Sequence, residues 1–336
     1  MTIYDIAREA GVSASTVSRV INNKPGIRES TRKKVKKLLE QYDYTPDAAA
    51  RSLVTQESRF IGILIEDIRV AHHTESAYVI EQEMTRRGFT CITFSTGSDP
   101  ERKARYIEIL EQRRVQGAIL IGSMFGTPEV QQSIERHLSG IPVVLVNGGM
   151  ELPNVYSVLS DEERGMEDCV TLLAGKGRRR LAYLMDVVTP SNLKKQRGFF
   201  TGLYRCGIPA GEDRVFTAPG SGTGPLDGIA RGRQATRALL RAMPEADGIL
   251  CATDLLAIGC LQELQDQGIP VPGRVAVAGV DNTLYGQLCT PALTTLDNRL
   301  ADVSLAAARM LLDVLEQNPV NQTLMVPTRV IEREST

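Results

Sequence analysis

Ser13-Ala14-Ser15-Thr16-Val17-Ser18-Arg19-Val20-Ile21-Asn22 carries two faces at helical spacing. Val17, Val20 and Ile21 fall on one side, and Ser15, Ser18, Arg19 and Asn22, at i, i+3, i+4 and i+7, fall on the other. The second face is small, polar and cationic, the surface a helix needs to enter a DNA major groove. Arg19 is its longest donor and reaches guanine O6 and N7 together. Far along the chain, Asp281 ends an apolar run that reads as a strand. Ligands of α/β sheets sit at that end, and a carboxylate there accepts two hydroxyl hydrogen bonds. The alternative is an Asp that caps the next turn.

The elements that must hold these groups are legible on either side. Thr2-Ile3-Tyr4-Asp5 has the form of a capping box, and Ile3, Ile6, Ala7 and Ala10 continue as a helical apolar stripe. Gly11 breaks the chain, and Ser13 caps the second helix. Two short helices joined by a Gly-containing turn make a helix-turn-helix; the alternative is a helical hairpin with a solvated face. A third helix runs through Val35, Leu38, Leu39 and Tyr42, with Arg32, Lys33, Lys34, Lys36 and Lys37 outward, where they are either simply solvated or face phosphates. Pro46 ends this unit, and the Ala-rich segment 47–54 has the length of two helical turns, marginal alone in water.

The chain has 336 residues, enough for two or three domains, and a formal net charge of −1. The charge is uneven: residues 1–59 carry a net +4 and the remainder −5, so a polyanionic partner is expected for the head alone. No apolar signal core opens the chain and no run approaches a membrane span. The six cysteines lie apart without metal-ligand spacing and read as the reduced thiols of a cytoplasmic protein. His72-His73 has no Cys or third His nearby, so no metal site and no cofactor are expected.

From residue 60, apolar runs at 60–65, 90–94, 117–121, 143–146, 155–159, 181–185, 248–251 and 275–280 alternate with helical patterns near 75–87, 101–113, 129–139, 163–175, 194–206, 230–242 and 254–267. A last helix over 299–317 and a final strand over 322–331 come after them. Continuously apolar strands are buried on both faces, and strand-helix alternation means doubly wound parallel sheets, here two lobes with a cleft between them. Asp254, after the 248–251 run, reads as an N-cap. Gly220-Ser221-Gly222-Thr223-Gly224 lacks the Gly-Lys-Ser/Thr of a phosphate loop and reads as a surface turn. No nucleophile elbow, zinc motif or sequence-local catalytic arrangement is present, so an enzyme is not expected.

Several motifs resemble the lac-repressor (LacI/GalR) family of bacterial transcription regulators. They are Thr2-Ile3-Tyr4-Asp5-Ile6-Ala7, Ala10-Gly11-Val12-Ser13 and Thr16-Val17-Ser18-Arg19-Val20-Ile21-Asn22 in the head. In the core they include Val115-Gln116-Gly117-Ala118-Ile119-Leu120, Ala252-Thr253-Asp254-Leu255-Leu256-Ala257-Ile258-Gly259 and Val277-Ala278-Gly279-Val280-Asp281-Asn282. The resemblance implies a helix-turn-helix domain over 1–45, a hinge helix and linker over 46–58, and a periplasmic-binding-protein-like core over 59–336. Its N-lobe would take 59–160 and 290–320, and its C-lobe 161–289 and 321–336, with crossings near 160, 290 and 320. Operator DNA would be met by Thr2, Tyr4, Ser13, Ala14, Ser15, Thr16, Ser18, Arg19 and Asn22, and by the hinge residues Ala50, Arg51 and Leu53, with Leu53 wedged in the minor groove.

The implied protein is a homodimeric repressor on a pseudo-palindromic operator, cytoplasmic and nucleoid-associated when bound to DNA, and controlled by a sugar or related polar metabolite. A solute-binding receptor is the alternative the core alone would suit. Effector contacts are expected from Asp281, Lys195, Thr253 and His72, with Phe125 and Phe216 supplying an aromatic face in a chain without Trp. Lys195 stands where the family has an arginine; Arg197 competes for that role, and a solvated helix start is the plain alternative. The chain departs from the family at Arg28, where a Ser or Thr cap is usual, at Asp47, and in the loop Arg69-Val70-Ala71-His72-His73-Thr74. Arg69, His72 and Lys195 together raise the expectation of an anionic effector.

Overall fold

The computed structural model describes residues 2–21, 24–42, 44, 58–218, 220 and 225–336. Contacts divide the chain into two units, Met1–Ser58 and Arg59–Thr336.

The first unit packs three helices, α1 (Ile3–Ala10), α2 (Ala14–Ile21) and α3 (Glu29–Gln41), around Ile6, Ala7, Ala10, Val17, Val20 and Val35. The capping box forms: Thr2 Oγ1 accepts from the Asp5 amide at 3.3 Å, and the Asp5 carboxylate accepts from the Thr2 amide at 2.9 Å. Gly11, at φ 68°, ends α1 in the left-handed region that glycine enters without strain. Arg28 precedes α3 without a side-chain capping bond, as its type requires.

The second unit contains two six-stranded sheets. One has the order β11 (Thr323–Val326), β5 (Val155–Ser160), β4 (Val143–Val146), β3 (Gly117–Ile121), β1 (Phe60–Ile65), β2 (Thr90–Ser95) and is parallel throughout. The other has the order β12 (Arg329–Ile331), β10 (Thr294–Asp297), β9 (Ala276–Val280), β8 (Gly248–Cys251), β6 (Leu181–Met185), β7 (Val215–Thr217), with only β12 antiparallel. Helices cover both faces of each sheet, which is why the central strands are apolar at successive positions. In β1, Ile61, Ile63 and Ile65 join the core under the helices Ala71–Arg86 and Leu300–Leu315, while Leu64 joins the core under Pro100–Gln112 and Pro128–His137.

The lobe boundaries differ from the sequence expectation. The chain crosses between sheets after Ser160, after Asp297 and after Val326, so the later two crossings fall a few residues beyond the expected 290 and 320. Residues 294–297 pair with β9 in the C-lobe, and the expected single strand over 322–331 is two strands in different lobes. Pairing between segments far apart in the chain places β11 beside β5, and no local pattern encodes that. The crossings are tied together: Ser160 Oγ donates to the Asn298 carbonyl at 3.0 Å, the Asp161 amide to the Val326 carbonyl at 2.9 Å, and Thr328 Oγ1 to the Asp161 carbonyl at 3.1 Å.

Candidate functional site

In the first unit, α2 buries Val17 and Val20 and leaves Ser15 and Arg19 exposed, with Ala14, Thr16 and Ser18 half-buried beside them. Ser13 Oγ accepts from the Thr16 amide at 3.2 Å and lies 2.8 Å from Ser15 Oγ, so the start of the helix is held by its own hydroxyls. Thr2 and Tyr4 are exposed on α1, Tyr4 by 73%. Asn22, Ala50, Arg51 and Leu53 lie outside the described residues. Four lysines of α3, at positions 33, 34, 36 and 37, are exposed.

In the second unit, a cavity of about 260 Å³ lies between the lobes. Its walls come from the carboxyl ends of strands in both sheets, where backbone amides and loop side chains converge. Asp281, Thr253 and His72 line it. Thr253 caps the helix Asp254–Asp266 by accepting from the Leu256 amide at 3.3 Å. The cap is therefore Thr253 and not Asp254. Asp254 is buried and holds the wall from below, accepting from Thr295 Oγ1 at 2.6 Å, the Thr283 amide at 2.7 Å and Thr283 Oγ1 at 2.9 Å. Asp281 and Asn282 stand at φ 106° and 51°, with the Asp281 amide donating to the Leu296 carbonyl at 2.9 Å and the Asn282 amide to Thr295 Oγ1 at 3.2 Å. Gly279 leaves the room: a Cβ there would stand 2.4 Å from Asp254 Oδ1.

Burial pushes Asp281 up to about 7, against the pull of the Lys195 charge, and burial with the nearby Asp281 charge pushes Asp254 to about 7 as well. His72 and His73 meet edge to face with ring centroids 4.4 Å apart. Burial lowers them to about 4 and about 3, so both are neutral at pH 7.

Three expected contacts move. Lys195 is only 4% exposed and does not reach the cavity wall: Nζ donates to the Ala252 carbonyl at 2.9 Å and lies 3.7 Å from Glu162 Oε1. It is a buried charge behind Asp281, not a solvated helix start, while Arg197 points outward to Glu163 at 3.0 Å. Phe125 is fully buried in the N-lobe core, with Lys103 Nζ 5.3 Å from its ring centroid. Phe216, on the edge strand β7, packs half-buried against the C-lobe core. Neither phenylalanine lines the cavity, because side chains of this size go where the apolar interior takes them. Arg69 turns to Asp67 at 2.6 Å, so the expected cluster of free cations does not form.

The wall also holds residues the sequence reading missed: Glu66, Asp186, Arg231 and Tyr285. Glu66 Oε2 takes Lys103 Nζ at 3.0 Å, and Lys103 is fully buried. Asp186 takes Arg231 Nη2 at 3.2 Å and the Asn192 side-chain amide at 3.2 Å. Glu66 directly follows β1 and Asp186 directly follows β6, the position relative to a strand that singled out Asp281. The same rule applied to every strand finds them. Among the described residues, no group of three or more His, Cys, Asp or Glu is arranged to hold a metal ion.

A helix pair with a polar reading face, in a chain whose second unit is two doubly wound lobes around a cavity, has the build of a DNA-binding regulator that carries a periplasmic-binding-protein-like core. Residues 2–47 match the bacterial regulatory proteins of the lacI family, and residues 170–336 match a periplasmic binding protein-like domain. The HTH-type transcriptional repressor PurR of Vibrio parahaemolyticus serotype O3:K6 (strain RIMD 2210633) is 31% identical over 313 residues, 93% of this chain and 91% of that protein. Catabolite control protein A of Priestia megaterium is 29% identical over 100% of this chain and 99% of that protein. The structure of the lac repressor dimer bound to operator and the anti-inducer ONPF superposes with a TM-score of 0.88 at 22% identity, covering 100% of this chain and 98% of that one. The transcriptional regulator CelR in complex with cellobiose superposes with a TM-score of 0.74, also at 22% identity and covering 100% of both chains. The chain belongs to the lacI family of bacterial regulatory proteins, and it is a DNA-binding transcriptional regulator of that family.

Proposed function

We propose that this regulator is a repressor that binds a pseudo-palindromic operator as a homodimer, with operator affinity set by a polar small molecule in the inter-lobe cavity. The cavity carries the reading: its walls come from both lobes, and Asn298, at one of the crossings, bonds directly to Asp281 on its wall. A ligand that bridges the two lobes changes their equilibrium geometry by its differential affinity for the two arrangements, and the same coupling changes operator affinity. DNA contacts fall to the exposed face of α2, led by Arg19, with Thr2, Tyr4 and Ser13 toward phosphates. Asn22 and the hinge residues Ala50, Arg51 and Leu53 complete the surface. For the effector, Asp281 and Thr253 supply direct polar contacts and His72 a neutral ring, while Lys195 acts through its field.

A second copy of the chain covers the apolar residues Leu284 and Leu288, which stand exposed on one short helix of the C-lobe. Dimerisation gives two reading helices for one two-fold site. The protein acts in the cytoplasm, where its operator is, and it binds its ligand without converting it. A solute receptor would have no use for the reading face of α2.

The test is selection of binding sites from a random DNA library by the full chain, followed by a thermal-shift screen of sugars and related metabolites. The expected result is a palindromic site whose affinity a stabilising metabolite changes, with that response absent in Asp281→Ala. A site without two-fold symmetry, or an operator affinity indifferent to every stabilising metabolite, overturns the reading.

A further inference from the structure

The cavity wall carries three carboxylates, Glu66 and Asp186 at the ends of β1 and β6 and Asp281 at the end of β9. Against them the described wall presents one cation, Arg231, and its guanidinium is already bonded to Asp186. The two lysines behind the wall are each held against an acid: Lys103 against Glu66, and Lys195 near Glu162. The His72 and His73 rings add no charge at neutral pH.

Asp281 is the member of the set without a direct cationic partner. Its hydrogen-bond donor is neutral, Asn298 Nδ2 at 3.1 Å. Asn298 itself is 5% exposed and lies outside the cavity lining, and its Oδ1 is buried with no hydrogen-bond partner among the described residues. Around Asp281 the facing charged groups are Lys195 on the helix Pro190–Arg205, Glu162 at the start of the helix Glu162–Gly175, and Asp186 after β6. Asp254 stands below. Three of these four are acids. A negatively charged ligand would enter this wall without an unpaired cation to meet it, and desolvated charge without a partner is costly. Among the described residues no group of three ligating side chains is arranged for a metal ion, so the complementary guest is organic.

We propose that the cavity selects a hydroxylated ligand bearing a protonated amine, an amino sugar or aminopolyol, with its ammonium seated against Asp281. The proposal rests on the cavity being the effector site. The hydroxyls of Thr253, Ser98 and Tyr285 meet the ligand's hydroxyls, while Arg231 is already held by Asp186. An ammonium gives Asp281 the cationic partner it lacks.

Calorimetry and thermal shift on the full chain test this with matched probes: tris(hydroxymethyl)aminomethane and glucosamine as amines, pentaerythritol and glucose as neutral counterparts, and glucose phosphate as the anion. At about pH 7.5, where Asp281 is mostly ionised and both amines keep a substantial protonated fraction, the amines bind at least about tenfold tighter than their neutral counterparts, and the phosphate binds weakest. At about pH 5.5, where Asp281 is protonated, the amine advantage falls about tenfold, and this arm uses the unaltered chain. In Asp281→Asn the advantage disappears. A phosphate probe that binds as tightly as the amines, an advantage unchanged at the lower pH or in Asp281→Asn, or no response to either amine overturns the proposal. A chain whose operator affinity responds to neutral sugars alone, through Asp281, keeps the effector reading and loses the amine.

Discussion

Asn298 Nδ2 donates to Asp281 Oδ1 over 3.1 Å, so a residue of the second inter-lobe crossing holds a carboxylate of the cavity wall. The Asn298 carbonyl in turn accepts from Ser160 Oγ at the first crossing. Through Asn298 the Asp281 carboxylate is therefore linked to two of the inter-lobe crossings. The folded protein raises Asp281 to about 7, above the value of an unfolded aspartate, so the stability linked to its protonated form is present at low pH and is lost as pH rises through about 7. Asn298→Leu keeps the branched shape and removes the donor to the ionised form. The stability gap between wild type and variant should widen by about 1–3 kcal/mol from pH 5 to pH 8. Thermal melts at the two pH values check it, and in an Asp281→Asn background the gap should stay constant.

Lys103 is fully buried with Nζ 3.0 Å from Glu66 Oε2 and 3.1 Å from the Met124 carbonyl. Removing one partner of a buried pair leaves the other uncompensated, so Lys103→Met should cost about 3–5 kcal/mol. Lys103→Met with Glu66→Gln should recover most of that loss. Melting temperatures of the single and double variants measure the coupling.

Arg19 is exposed on the reading face of α2. Arg19→Ala should weaken binding to the selected operator by about 1–3 kcal/mol and leave binding to random DNA nearly unchanged. Competition titrations at fixed salt separate the two terms, and an equal loss on both DNAs would reduce Arg19 to a phosphate contact.

Arg28 sits at the start of α3 without a capping bond. Arg28→Ser supplies a hydroxyl acceptor for the first turn and should stabilise the head by about 1 kcal/mol. Slower amide exchange in α3 of the full chain is the expected sign.

Short-range physics made much of this protein legible from its residue order. The capping box of Thr2 and Asp5, the turn at Gly11 and the two faces of α2 each depend on residues within a few positions of one another. The apolar runs of the core declare strands because strands buried on both faces have no polar side to alternate. Asp281 was visible as the residue after such a run, and Glu66 and Asp186 stood in the same place after β1 and β6. Tertiary structure alone decided the rest. Whether Lys195 or Arg197 turns inward depends on which side of the helix Pro190–Arg205 packs on the C-lobe sheet, and packing buried the lysine. Phe125 and Phe216 went to the cores because apolar burial outweighs any use at a wet cavity wall. The final strands were divided between the lobes by pairing with β5 and β10, partners that lie about 170 and about 35 residues earlier in the chain. The charge balance of the cavity is likewise tertiary. Arg231, Lys103 and Lys195 are ordinary cations in sequence, and only the fold sets each one against an acid and leaves Asp281 with an amide.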